Sequence, residues 1–131
     1  MIVLDTHAWL WWISNPELLG ERAAEAIAAA RGRRELFISS ISVWEVAMLV
    51  QKGRLQLALD VRDWLARCEA LPFLRFVPVD NAIAVQATRL PGELHGDPAD
   101  RIIVATALSL GAALVTKDEK LQHYSSISTI W

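Results

Sequence analysis

Short, largely apolar runs alternate with helical patterns along this chain, and no other feature constrains its fold as strongly. The runs are Ile2-Val3-Leu4, Leu36-Phe37-Ile38, Leu74 to Val79 and Ala113-Leu114-Val115, with Ile127 to Ile130 a candidate fifth. Between them lie helical stretches: Thr6 to Ile13, Glu17 to Arg31 closed by Gly32, Ser42 to Gln51, Asp60 to Leu71 ended by Pro72, Asn81 to Leu90, and Pro98 to Leu110 closed by Gly111. Strands that are apolar rather than alternating are expected to be buried on both faces. Strands separated by helices give crossover units and a parallel sheet. The expectation is an α/β fold in one domain, residues 1–131, since the chain has the length of a single domain and carries no linker or repeat.

Composition excludes several classes. With 53% hydrophobic and 21% charged residues the chain is not disordered. Its single cysteine, Cys68, permits no internal disulfide and suits a reducing, cytoplasmic setting; it reads as a small core residue. The acidic residue at position 5 and the lack of a basic start argue against a signal peptide. No apolar run is long enough for a membrane span. The net charge of −2 does not advertise nucleic-acid binding. Five acids set aside as a metal site, however, would leave ten against thirteen Lys and Arg, so an RNA substrate stays open.

In an open parallel sheet, ligands bind beyond the carboxyl ends of the strands. Asp5 directly follows the first run, Asp118 follows the run at 113–115, and Glu45 is expected in the first turn of the helix after the second run. Asp97 and Asp100 start the helix that leads to the strand before Asp118. Carboxylates converging in this way repel one another unless a cation joins them, and all-oxygen ligands suit Mg²⁺ or Mn²⁺. Each acid also has a structural reading. Ser42-x-x-Glu45 fits a capping box. Asp97-Pro98-Ala99-Asp100 fits a helix start. Asp5 and Asp118 fit caps or turns.

Four segments carry a family resemblance: Val3-Leu4-Asp5-Thr6-His7-Ala8; Ser39 to Val46 around Glu45; Asp97-Pro98-Ala99-Asp100-Arg101-Ile102-Ile103-Val104-Ala105-Thr106-Ala107; and Leu114-Val115-Thr116-Lys117-Asp118. In order and spacing they resemble the acidic motifs of PIN domains, and the Asp-Thr-His opening resembles the VapC-type toxin branch of type II toxin-antitoxin systems. The resemblance implies a three-layer α/β/α sandwich around a central parallel sheet. It implies a Mg²⁺- or Mn²⁺-dependent endoribonuclease with an RNA substrate, a cognate VapB-type antitoxin and a homodimeric state. Asp5, Asp100 and Asp118 match the metal ligands. Glu45 matches the remaining acid, a ligand or a base that orients water. Thr6, Ser42 and Thr116 match hydroxyls that steady the carboxylates. Asp97 is an additional acid or a helix cap. Hydrolysis of this type leaves 5′-phosphate and 3′-hydroxyl ends. Position 117 departs from the small polar residue of many relatives: Lys117 is a candidate phosphate contact, as are Arg101, Lys52, Arg54 and Lys120.

Six tryptophans is many for this length. Trp9, Trp44 and Trp64 are expected in the core, with some of the other indole surface available to a partner. His7 reads as a packed, hydrogen-bonded residue, and His95 as a loop residue near the substrate. Competing classes fit less well. A response-regulator receiver needs paired acids after its first strand, and a DxD phosphatase needs an acid where His7 stands. A catalytically inert PIN-like binding module and a free-standing PIN nuclease remain as alternatives.

Overall fold

The computed structural model describes residues 1–94 and 96–131. Five short strands, β1 (Ile2–Leu4), β2 (Leu36–Ser39), β3 (Leu74–Val77), β4 (Ala113–Val115) and β5 (Thr129–Ile130), form one sheet. Its order is β3-β2-β1-β4-β5 and every pairing is parallel. The helices are α1 (Thr6–Ser14), α2 (Glu21–Arg33), α3 (Ser40–Gln51), α4 (Val61–Glu69), α5 (Asn81–Thr88), α6 (Pro98–Leu110) and α7 (Glu119–Gln122).

Successive residues of a strand point to opposite faces, and the core divides accordingly. Ile2, Leu4, Leu36, Ile38 and Val115 face a layer built from α1 to α4, including Trp9, Ile27, Val46, Trp64 and Cys68. Val3 and Leu114 face the other layer, including Ile83, Ile103, Val104 and Leu121. The result is the expected three-layer sandwich. Among the described residues no helix is long and apolar enough to cross a membrane.

The chain runs outward from β1 to β2 and β3, then crosses back to β4 on the other side of β1. The crevice beyond the carboxyl end of β1 is therefore the point where strand order reverses, the preferred ligand position in such sheets.

Several boundaries depart from the sequence expectation. The second helix does not begin at Glu17: residues Pro16–Leu18 make a separate 3₁₀ turn, and α2 starts after Gly20. A side chain at Gly20 would collide with Trp131, whose backbone and ring atoms lie 2.7 Å from the position of a Cβ. Gly32 stays helical, and Arg34 closes α2 with a left-handed φ of 56°. Strand β3 stops at Val77, before Pro78, which has no N–H to donate to a ladder. Helix α7 has only four residues, too short for a periodic pattern to reveal.

Trp9 and Trp64 are core residues, but Trp44 is 56% exposed. Helix α3 is apolar on nearly every side, so its pattern does not mark an inward face. Packing selects Ser42 and Val46 for burial, and Trp44, two residues beyond Ser42, falls on the opposite side.

Candidate active site

The first strand delivers Asp5 to the crevice already fixed. Its backbone N–H donates to Val115 O (3.0 Å), which ties it to the end of β4. Its carboxylate caps α1: Oδ1 accepts from Thr6 N (2.7 Å), while Oδ2 accepts from the Thr116 hydroxyl (2.7 Å). Thr116 is fully buried, and its Oγ1 also accepts from Asp118 N (3.0 Å). One hydroxyl thus sets two acids, Asp5 through its carboxylate and Asp118 through its backbone. Asp118 in turn caps α7 by accepting from Lys120 N (2.8 Å).

Glu45 comes from α3. The capping-box reading of Ser42 and Glu45 does not hold, because Ser39 is the cap of this helix. Glu45 therefore sits in the second turn rather than the first. Both side chains reach Thr6 instead: Thr6 Oγ1 lies 2.6 Å from Glu45 Oε1 and 2.8 Å from Ser42 Oγ. A carboxylate only accepts, so the single Thr6 proton goes to Glu45, and Ser42 donates to Thr6.

The third group stands at the start of α6. Asp97 is the cap, its Oδ1 accepting from Asp100 N (2.8 Å), with Pro98 at the first helical position. Asp100 follows in the first turn. The preceding loop is braced. Arg101 donates from Nε to Ala87 O (2.9 Å) and from Nη1 to Leu94 O (2.8 Å), and the Tyr124 hydroxyl donates to Pro91 O. Arg101 is thereby occupied as a strap between α5 and the loop, and it is not among the residues lining the acidic cavity. His95 lies outside the described residues.

Asp5, Glu45, Asp97, Asp100 and Asp118 line one cavity of about 520 Å³, together with Thr6, His7, Trp11 and Lys117. His7 is exposed at its rim and makes no hydrogen bond among the described residues, contrary to the packed histidine expected; its ring contacts Trp11. Lys52 and Lys120 lie outside this cavity. Sequence reasoning missed Trp11 as a cavity residue. The signal available was its place one turn after His7.

The electrostatics of these acids are uneven. Burial raises the proton affinity of Asp5, opposed by the bonds from Thr116 and Thr6. Burial also raises that of Glu45, opposed by Thr6. Asp100 is pushed up to about 7 by burial and then by the charges of Asp97, Asp5, Asp118 and Glu45, with no hydrogen bond lowering it. Among the described residues no Lys, Arg or His forms an ion pair with these acids.

Such a donor set fits a divalent cation. The oxygens are hard ligands, negative charge is in excess, and among the described residues no Lys, Arg or His is within ion-pair distance of them. Among the described residues no group of three or more His, Cys, Asp or Glu side chains stands close enough together to hold a metal ion. An ion such as Mg²⁺ keeps several waters and needs only one or two direct carboxylates.

Known proteins agree with this architecture. The PIN domain family model matches residues 2–126. A curated relative, Ribonuclease VapC22 of Mycobacterium tuberculosis, is 39% identical over 123 residues, spanning 94% of this chain and 91% of the relative. Among solved structures, VapBC2 of Rickettsia felis bound to a promoter DNA fragment has a TM-score of 0.72 at 18% identity, covering 98% of this chain and 97% of that one. FitAcB of Neisseria gonorrhoeae has a TM-score of 0.70 at 21% identity, covering 98% and 96%. With the family model spanning nearly the whole chain and the fold in agreement, this chain belongs to the PIN domain family.

Proposed function

We propose that this chain is a divalent-metal-dependent endoribonuclease and the toxin of a toxin-antitoxin pair. One observation carries the reading. Five carboxylates from four separate segments face a single cavity at the reversal point of the sheet, none of them in an ion pair among the described residues. The 39% identity to a ribonuclease of the same family supports it.

Asp5, Asp100 and Asp118 would hold the ion, Mg²⁺ or Mn²⁺, which when bound lowers the pKa of water and draws charge from phosphate oxygens. The chain's own groups supply position and proton transfer. Thr116 and the Thr6 N–H fix both oxygens of Asp5. The Thr6 hydroxyl holds Glu45 by Oε1. Glu45 Oε2 is then the oxygen that takes a proton from the attacking water, and burial makes Glu45 a stronger base than a carboxylate in water. Attack by water in place of the RNA 2′-hydroxyl, with the P–O3′ bond breaking and the 3′ oxygen leaving as the hydroxyl, gives 5′-phosphate and 3′-hydroxyl ends. Asp97 serves as the cap that orients Asp100.

An antitoxin protein and a homodimer belong to the same reading. Apolar surface is available to either at Trp44 on α3 and Val85 on α5, 56% and 50% exposed.

The test is cleavage of a mixed RNA pool by purified protein with Mg²⁺, Mn²⁺ or EDTA, beside Asp5→Asn. Metal-dependent cutting that the substitution abolishes is the expected result. Products ending in 2′,3′-cyclic phosphate, or cutting that survives EDTA and Asp5→Asn, would contradict it. Metal uptake without cutting of any RNA would favour an inert binding module.

A further inference from the structure

The rim of the acidic cavity carries chemistry that phosphodiester hydrolysis leaves unused. His7 and Trp11 lie one turn apart on α1, with ring centroids 5.9 Å apart. Trp131 and Trp11 pack at a steep angle to each other, with ring centroids 5.7 Å apart. The Lys117 ammonium stands 5.6 Å from the centroid of the Trp11 ring. Trp9 and Trp12 of the same helix pack into the core, whereas Trp11 belongs to neither core cluster. His7 and Trp11 also line a second cavity, of about 250 Å³, with Asn15, Arg54, Gln56 and Leu57 in its wall. The two rings are therefore shared by the acidic cavity and its neighbour, with Lys117 on one side and Arg54 on the other.

We propose that Trp11 and Lys117 form a nucleotide subsite beside the acidic cavity, in which the indole face that Lys117 does not cover stacks on one unpaired base of a single-stranded RNA. Lys117 meets the adjoining phosphate, and Arg54 meets the next phosphate along the second cavity. The assignment rests on the RNA-cleaving reading of the same cavity.

Three physical points support it. Base stacking on an aromatic ring is tolerant of sequence and needs a base that is not already stacked in a duplex. An ammonium held by a ring quadrupole, rather than by a carboxylate, stays free to bind phosphate, and Lys117 has no ion pair among the described residues. Finally, the five acids repel a polyanion, so cationic groups are needed on either side of them to hold one.

The experiment compares wild type with Trp11→Phe, Trp11→Leu, Lys117→Ala and Arg54→Ala. The probe is a short single-stranded oligoribonucleotide carrying 2-aminopurine, titrated in EDTA so that binding is read without cleavage. The same variants are assayed for cleavage of the RNA pool with Mn²⁺, and their melting midpoints are recorded. Trp11→Leu is expected to weaken binding and raise KM roughly five- to hundredfold, and Trp11→Phe to lose only part of that. Lys117→Ala and Arg54→Ala are each expected to reduce the slope of log affinity against log salt by about 0.7. Melting midpoints should stay close to wild type, and the annealed duplex should bind more weakly than the single strand.

Wild-type affinity and KM in Trp11→Leu, equal binding of duplex and single strand, or losses that follow the melting midpoint would each overturn the subsite. Cleavage that depends on Asp5 but not on Trp11 would leave the nuclease reading standing without the subsite. Trp11-dependent binding with no cleavage would leave the subsite standing without the nuclease. Absence of both would remove both.

Discussion

Asp5 and Asp100 line the same cavity under opposite conditions. Asp5 is buried with each carboxylate oxygen bonded, and its backbone is locked to β4. Asp100 is half-buried, faces four other acids, and receives no hydrogen bond on its carboxylate among the described residues. Folding has completed the first and left the second unfinished. The β1–β4 side, with its threonine hydroxyls, supplies position. The α6 side supplies the excess negative charge that a cation would neutralise. A site assembled this way would hold its geometry before an ion arrived and would release electrostatic strain on binding one.

The largest expected effect treats the two acids alike. Asp5→Asn and Asp100→Asn should each reduce RNA cleavage by about a thousandfold or more, since either removes charge from the reacting centre. A substantially active variant of either would break the comparison at once. Next comes the support. Thr116→Val removes the donor to Asp5 and the acceptor for Asp118 N–H, and should reduce kcat roughly ten- to hundredfold, with Thr116→Ser near wild type. Equal losses in the Val and Ser variants would mean that the hydroxyl is not what matters.

Stability should then separate what activity does not. Asp5→Ala deletes a helix cap and strands the buried Thr116 hydroxyl, costing about 1–3 kcal/mol by urea unfolding at pH 5, a cost that at pH 8 is offset in part by relief of the penalty for burying the Asp5 charge. Asp100→Asn should instead stabilise the metal-free protein at pH 8, on the order of 1 kcal/mol after allowance for the water that still reaches this carboxyl. The folded chain holds the Asp100 proton up to a pH of about 7, whereas the unfolded chain releases it near 3.8. Below that window both states are protonated and Asp100 contributes nothing. Within it the folded state binds more protons, so stability falls as pH rises, and above it the penalty is complete. Wild type should therefore be more stable at pH 5 than at pH 8, and Asp100→Asn should shrink that difference. A difference of the same size in the variant would show that Asp100 is not the strained acid.

Smaller effects follow for residues outside the cavity. Arg101→Leu loses two bonds to backbone carbonyls and should cost about 1–2 kcal/mol. Trp44→Lys should change unfolding stability by less than about 0.5 kcal/mol, since the side chain stands in solvent. A larger loss would place Trp44 in an interface.

The legible parts of the molecule were those that one segment determines alone. Apolar runs marked β1, β2 and β4, and an acid following a run marked Asp5 and Asp118, because strand burial and the ligand-binding end of a parallel sheet are local consequences of pattern. Asp97-Pro98-x-Asp100 marked its helix start for the same reason. What pairs distant segments was not legible. The resemblance had named Thr6 and Ser42 as hydroxyls that steady the carboxylates, but not that they meet each other at Glu45 across 36 to 39 positions, and the Ser42-x-x-Glu45 spacing imitated a capping box. The inward face of α3 depends on what packs against it, so Trp44 was misplaced. Arg101 read as a phosphate contact because nothing near it in sequence reveals that Ala87 and Leu94 present carbonyls to it. That position 20 must be a glycine follows from its contact with Trp131, which is far away in sequence.

The most direct test of the account is calorimetric titration of Mn²⁺ into metal-free wild type and Asp100→Asn at pH 6 and pH 8, in buffers of different ionisation enthalpy. Binding in wild type is expected to tighten from pH 6 to pH 8, with protons released at pH 6. Both the release and the pH dependence should be largely lost in Asp100→Asn, along with most of the affinity. Absence of Mn²⁺ binding in wild type, or binding that ignores both pH and Asp100, would contradict the claim that this half of the cavity is completed by a cation.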